Sequence, residues 1–417
     1  MNFKFLRGAC VVIEGGGKRV LCDPWLDDGI YYGSWAHYPA YNWKDDLSTL
    51  DYIYVSHIHP DHFSHATMRR LPKVPVLIHK FQSKFLRKNI EALGFEVREL
   101  ENNTPTDLGG GLKINIIAAD DCNPALCQKF FGCTSAEVST TQIDSMAVFD
   151  DGEHVYVNVN DCPYQLSKSI LPKIRTQYPV IDVMMVAYAG AGPYPQCFSM
   201  SIVKKLDAAE FKKKQFLYHA AMFAKDLKPK QTFPFAGDYV LCGNLAHLNH
   251  FRGVASLEEV YDYFEHRQIP VIRTEIPDEY LRGKYIQDIL AMRKMDYEYD
   301  NDVSDNEMLP LLHAAYERMH HKRKELGLKT ETDIYIGIGF GGYYKISANE
   351  AYLDFTTKIK SERYVLMTAD RRLLKRILMG PAYAHWNNAE IGSHIMYDRR
   401  PDDFERGLHQ LMSFFHV

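Results

Sequence analysis

Val55-Ser56-His57-Ile58-His59-Pro60-Asp61-His62 decides how this chain reads. It places three imidazoles and one carboxylate within six residues. The preceding run, Leu50-Asp51-Tyr52-Ile53-Tyr54-Val55, is rich in β-branched and aromatic side chains and predicts a strand. Side chains alternate across a strand, so His57 and His59 are expected to point the same way. Pro60 has no N–H to donate and ends the ladder. Asp61 and His62 then fall in a turn. Ser64 is placed to cap a helix that runs to about Leu71 and stops at Pro72. A strand end, a tight turn and a helix start thus aim four metal-competent groups at one point. A lone His at a strand end is usually a polar loop residue, but that account does not cover four such groups together. Imidazole and carboxylate suit zinc or iron better than magnesium or calcium.

The flanking sequence extends the pattern. Val20-Leu21-Cys22-Asp23-Pro24-Trp25-Leu26 reads as a strand and loop upstream, and Val157-Asn158-Val159-Asn160-Asp161-Cys162 as a later strand ending in a carboxylate. Together with His57-x-His59-x-Asp61-His62, these resemble the metallo-β-lactamase fold, an α/β class αββα sandwich. Within that superfamily, several stretches resemble the lactamase-like part of CMP-N-acetylneuraminate hydroxylase and its bacterial relatives. They are Asp23 to Leu26, Tyr52 to His59, Asn160-Asp161-Cys162, Tyr188-Ala189-Gly190-Ala191-Gly192 and Pro234-Phe235-Ala236-Gly237.

The resemblance implies that His57, His59, Asp61 and His62 ligate metal and that Asp161 bridges, with zinc or iron as one or two ions. It also implies a further His shortly before the strand leading to Asp161. No His lies between His79 and His154, and Thr140 or Thr141 stands about where that ligand is expected. A last His is implied where Phe235-Ala236-Gly237-Asp238 stands, leaving Asp238, His247 and His250 as candidates. Asp120, Asp121 or a Cys from Cys122, Cys127 and Cys133 could substitute, although plain burial is the simpler use of the three Cys. Asp23 is the first candidate for orienting an imidazole from outside.

A chain of 417 residues is long for one domain, and two are expected. The net charge of −4 gives no electrostatic case for nucleic acid. Eight Cys without a C-x-x-C pair argue against a disulfide framework and fit a reducing cytosol. The N-terminus lacks the apolar core of a signal peptide, and no apolar run approaches the roughly 20 residues of a membrane helix. The expectation is a soluble, cytoplasmic protein.

Along the chain, Ala9–Glu14 and Arg19–Cys22 read as a hairpin. Its Gly15-Gly16-Gly17 is a turn rather than a phosphate loop, because no helix follows. Residues 27–46 carry Tyr31, Tyr32, Trp35, Tyr38, Tyr41 and Trp43, either as the wall of a substrate pocket or as a satellite core. A βαβ rhythm follows, with Ser83 as the cap of a helix closed by Gly94. Strands are predicted at 95–100, 112–118, 146–149, 154–159, 181–188 and 232–236, and helices at 204–227 and 256–266.

These elements define a metal-binding domain over 1–265 and a helical, acidic connection over 266–306. A smaller α+β domain is expected over 307–417. The last part resembles the sterol-carrier-protein-like fold, which can hold an apolar ligand or mediate dimer contacts, so a homo-oligomer is allowed.

Two activities are in front. One is a metal-dependent hydrolase of an ester, phosphoester or amide, in which metal-activated water is the nucleophile and Asp61 assists. The other, implied by the hydroxylase resemblance, is an iron-dependent hydroxylase of a nucleotide sugar or related metabolite. The resembled family carries a separate Rieske domain with paired Cys-His ligands. None is legible here, so electrons would come from an external donor. A third reading is a scaffold that only binds a small molecule.

Overall fold

Alternation of apolar side chains builds a sheet that is covered on both faces. Val11, Ile13, Val20, Cys22, Tyr54 and Leu77 face one way, into the space between two sheets. Their neighbours Cys10, Val12, Leu21, Ile53, Val76 and Ile78 face the other, beneath helices. A period of two with apolar residues on both sides produces a strand buried twice over. The computed structural model describes residues 1–38, 41, 43, 47–81, 83–120, 144–274, 303–328, 330–338, 341–347 and 353–417. Asp121, Cys122, Cys127, Cys133, Thr140, Thr141 and the acidic stretch from 286 to 302 lie outside the described residues.

The first sheet has the order β1-β2-β3-β5-β6-β7. Its strands are β1 Asn2–Arg7, β2 Cys10–Gly15, β3 Lys18–Cys22, β5 Tyr52–Tyr54, β6 Val76–His79 and β7 Val97–Leu100. The second has the order β13-β12-β11-β10-β9-β8. It comprises β8 Thr106–Gly109, β9 Leu112–Ala118, β10 Ser145–Asp150, β11 Val155–Asn158, β12 Val183–Ala187 and β13 Gln231–Phe235. A short pair, β4 Trp35–His37 and β14 Tyr239–Leu241, lies beside them. Helices α1 His65–Arg70 and α2 Phe85–Ala92 cover the first sheet. Helices α3 Leu171–Gln177, α4 Ile202–Leu227 and α5 Leu257–Glu265 cover the second. The result is the expected αββα sandwich.

Within the first sheet β3, β5, β6 and β7 run parallel, as do β11, β12 and β13 in the second. The loops after β3, β5 and β11 carry Asp23, His57 to His62, and Asp161, and all three meet at one edge of the sandwich. Ligands of open α/β sheets gather outside the carboxyl ends of the strands in this way.

The structure corrects several local expectations. β5 ends at Tyr54, so His57 and His59 lie in a loop and their convergence does not come from strand alternation. Ser64 caps α1 as expected, its Oγ accepting from the Thr67 N–H. Ser83 does not cap α2; Lys84 occupies that position without a side-chain hydrogen bond. β1, β8, the β4–β14 pair, the strand Met396–Arg400 and the helix Trp386–Ile391 were not foreseen. Most are short, and β1 was hidden by the chain end.

The hairpin turn at Gly15–Gly17 is confirmed, and tertiary packing gives it a second role. Gly16 and Gly110 both have positive φ (58° and 63°) and press together. A Cβ on Gly110 would lie 1.7 Å from the Gly16 carbonyl oxygen, and one on Gly16 would lie 2.3 Å from that of Gly110. Gly110→Ala is therefore expected to destabilise the protein by more than about 2 kcal/mol, from left-handed strain plus the backbone clash. A urea-denaturation midpoint equal to that of the parent would contradict this.

The C-terminal part forms a five-stranded sheet, β17-β16-β15-β18-β19. Its strands are β15 Asp333–Gly337, β16 Tyr343–Ile346, β17 Leu353–Thr356, β18 Tyr364–Thr368 and β19 Met396–Arg400. Helices α6 Asp305–Glu325, α7 Arg371–Leu378, α8 Trp386–Ile391 and α9 Arg406–Met412 accompany it. Its core continues without a break into Trp25, Tyr31, Trp35, Phe198 and Tyr239 of the sandwich. Trp35 stacks on Tyr239 at 3.4 Å, and Phe198 on Tyr397 at 4.7 Å. Among the described residues no helix is long and apolar enough to cross a membrane.

Candidate metal centre

The centre is assembled from loop residues pinned at their outer ends. The His57 Nδ1 lies 2.9 Å from Ser56 Oγ. The Ser56 N–H donates to Asp23 Oδ1 at 2.7 Å, and Ser145 Oγ donates to the Ser56 carbonyl at 2.9 Å. Asp23 is fully buried and its Oδ2 lies 3.2 Å from His62 Nδ1, as expected of an outer orienting group. Asn160 donates to the same Asp23 oxygen. Asp23, Asn160, Tyr31 and Tyr32 all have positive φ (46°, 54°, 51° and 59°). Four non-glycine residues in left-handed backbone around one point are strain that a functional site accounts for.

The inner atoms converge. His57 Nε2 lies 3.0 Å from His59 Nδ1. His62 Nε2 lies 3.3 Å from Asp161 Oδ2 and 3.5 Å from Asp61 Oδ2. Donor atoms of His57, His62 and Asp161 fall within 4.8 Å of one another. The Tyr31 hydroxyl donates to Asp61 Oδ1, and His59 Nε2 meets Asn387 Oδ1 at 3.2 Å. All five ligands expected from the sequence are thus brought to one place. The Asp161 side chain is 31 % exposed, more open than those of His57, Asp61 and His62.

A sixth group was missed. Asp144, buried immediately before β10, has Oδ1 3.6 Å from His57 Nε2. It stands where a further His was expected, on the approach to the β10–β11 hairpin leading to Asp161. A carboxylate abutting the predicted strand at 146–149 was the available signal, but the absence of His drew attention to Thr140 and Thr141. The candidates for the last His fall away. Asp238 Oδ1 accepts from the Gly8 N–H at 2.9 Å, and His247 Nδ1 bonds the Asn244 carbonyl at 2.8 Å. Neither these nor the exposed His250 touches the cluster among the described contacts.

Electrostatics agree with a cation site. Burial, reinforced by Asp161, pushes the Asp144 carboxyl up to about 8. Burial, with His62 and His59 nearby, holds His57 well below the usual imidazole value. Burial lowers His62 too, but Asp161, Asp61 and Asp23 outweigh it and raise it well above that value. Among the described residues no Lys or Arg is ion-paired with Asp23, Asp61, Asp144 or Asp161. Two imidazole nitrogens 3.0 Å apart among carboxylates that no Lys or Arg neutralises fit a positive ion between them.

A cavity of about 300 Å³ opens beside Asp161, lined by Gln165, Ala189, Gly190, Phe216 and His219 among others. The aromatic loop expected to wall a pocket is not part of its lining. Tyr31 and Trp35 are buried against the C-terminal part instead, so these two aromatics serve the core.

Residues 18–194 match the beta-lactamase superfamily domain. The human inactive cytidine monophosphate-N-acetylneuraminic acid hydroxylase is 25% identical over 253 residues, 58% of this chain and 45% of that protein. A Mycolicibacterium smegmatis protein named for a Rieske 2Fe-2S centre is 31% identical over 199 residues, 45% of this chain and 34% of the other. The chain therefore spans less than half the length of these relatives. Among solved structures, isothiocyanate hydrolase from Delia radicum gut bacteria aligns with a TM-score of 0.44 and 16% identity, over 65% of this chain and 95% of that one. The matched stretch from 18 to 194 contains most strands of the two facing sheets and the His-rich loop after β5.

Proposed function

We propose that the protein is an iron-dependent hydroxylase of a small uncharged molecule, supplied with electrons by a separate protein. The observation carrying this is Asp144. His57 Nε2 has His59 Nδ1 at 3.0 Å and the Asp144 carboxylate at 3.6 Å, and two histidines with one carboxylate are the donor types associated with non-haem iron(II) oxygenases. Asp61, His62 and Asp161 make a second, more acidic set. Replacement of an expected imidazole by a carboxylate moves the whole site away from the nitrogen-rich donors of hydrolytic zinc centres. The sequence likeness to the sialic acid hydroxylases and to a Rieske-named protein supports the same reading. Bound iron would supply the redox chemistry by which dioxygen, two electrons and two protons turn a C–H bond into C–OH, with the second oxygen atom leaving as water.

The protein's own residues hold and shield that centre. Ser56 and Asp23 fix the His57 and His62 rings, and Tyr31 occupies one Asp61 oxygen. With that oxygen taken, Asp61 is better suited to ligation than to work as a free base. The cavity beside Asp161 brings substrate to the most open ligand. Gly190 lets the tip of the Phe216 ring approach the backbone closely, since a Cβ there would meet the ring at 1.8 Å. Among the described residues no Lys or Arg lines the cavity, so an uncharged substrate with an apolar face fits better than a nucleotide sugar. Residues 1–265 are proposed as the metal-binding domain and 307–417 as a second domain packed over its edge, with 266–306 between them.

Metal analysis tests the reading. Protein purified without added metal is expected to contain iron, up to two equivalents, with visible absorption or a spin signal. Stoichiometric zinc with no iron would replace hydroxylation by hydrolysis, and neither metal above trace would leave only binding.

A further inference from the structure

We infer that Asn387, from the C-terminal part, is a positioning residue of the metal centre. It holds His59 in the tautomer that turns a bare Nδ1 toward His57. The inference rests on the metal site, not on the reaction proposed for it. Each of the three imidazoles has its outer nitrogen held by a partner. For His57 and His62 these are Ser56 and Asp23, both within the sandwich. For His59 the partner is Asn387, 328 residues away, whose Oδ1 lies 3.2 Å from Nε2. An amide oxygen only accepts, so the ring proton sits on Nε2 and Nδ1 keeps its lone pair. That Nδ1 is the atom 3.0 Å from His57 Nε2.

The helix carrying Asn387 is held against the sandwich at several points. The His385 N–H donates to the Tyr32 hydroxyl at 2.6 Å, and His394 Nε2 bonds the Tyr31 carbonyl at 2.8 Å. Gln196 Nε2 donates to Ser393 Oγ at 3.1 Å, and the Ser199 N–H to the Tyr397 carbonyl at 2.7 Å. Trp386 and Ala389 are buried in the shared core. The same segment thus reaches one ligand directly, through Asn387, and another through Tyr31, whose hydroxyl donates to Asp61. The C-terminal part is a component of the centre, and its docking sets ligand geometry.

The test uses cobalt(II) as probe, titrated into chelator-treated full-length protein against a competing chelator. Asn387→Leu removes the acceptor at similar volume and is expected to weaken cobalt binding roughly 10- to 100-fold. Asn387→Asp still accepts from Nε2–H and is expected to restore affinity to within about threefold of the parent or better. Nitrogen-15 shifts of His59 in metal-free protein should report the Nε2–H tautomer in the parent and in Asn387→Asp, and a mixture in Asn387→Leu. Parental cobalt affinity in Asn387→Leu, or a parental Nδ1–H tautomer, would overturn the inference. If Asn387→Leu folds poorly, the tautomer in the parent and the affinity of Asn387→Asp still decide. Iron or zinc as the resident metal leaves this outcome untouched.

Discussion

His62→Ala is expected to abolish binding at the more acidic of the two ligand sets and to cost the metal-free protein about 3 kcal/mol. The ring is 1 % exposed and faces three carboxylates: Asp23 at 3.2 Å, Asp161 at 3.3 Å and Asp61 at 3.5 Å. Those neighbours raise its pKa well above the usual value despite burial, so in the absence of metal it is the cation at the centre of the cluster. Alanine removes that charge and leaves buried carboxylates facing one another. A group whose pKa is raised by folding stabilises fully below its unfolded value and loses that contribution as pH rises through the folded one. The penalty of His62→Ala should therefore be largest below about pH 6.5, the ordinary imidazole value, and shrink well above it. Denaturation of chelator-treated protein at pH 6 and pH 9, with metal content measured separately, checks both halves. A variant as stable as the parent at pH 6, or one that still binds two ions, would refute the arrangement.

The second large effect is the pH dependence of metal uptake. Asp144, pushed up to about 8 mainly by burial, holds a proton at neutral pH when no ion is present. A metal ion must displace it, so loading should release protons, and affinity should rise roughly tenfold per pH unit for each proton displaced. The part of the rise that belongs to Asp144 should flatten once pH passes about 8. The sign is opposite for the stability of the metal-free protein. Between the unfolded carboxyl value near 4 and the folded value, the native state binds the extra proton, so stability falls as pH climbs. Asp144→Asn should lower affinity and remove this proton from the release measured by calorimetry in buffers of different ionisation enthalpy. Proton release identical to the parent would exclude Asp144 from the centre.

Much of the N-terminal architecture was legible because it is written in local patterns. Val11, Ile13 and Val20 alternate with Val12 and Leu21, Ser64 caps its helix, and Gly94 ends the next one with φ at 82°. Misses fell where local signals compete or are absent. Ser83 offered a cap that the backbone did not use, and three-residue strands such as Trp35–His37 are too short to show a period. Asp144 was overlooked because nothing local distinguishes it from Asp120 and Asp121, the carboxylates first considered as substitutes for the missing His. Nothing near residue 387 advertises a role at residue 59.

By itself the sequence determined the sandwich, the cluster His57, His59, Asp61 and His62, and the distant Asp161. The sandwich and the His cluster rest on repeating patterns and on reactive side chains within a few residues, whereas Asp161 is implied by the resemblance to the metallo-β-lactamase fold. Only the tertiary structure decided that Asp144 lies beside His57, that Tyr31 belongs to Asp61, and that Asn387 reaches His59. These pairings depend on where loops far apart in sequence come to rest once both sheets and the C-terminal helix are packed, and chain order carries no record of that distance.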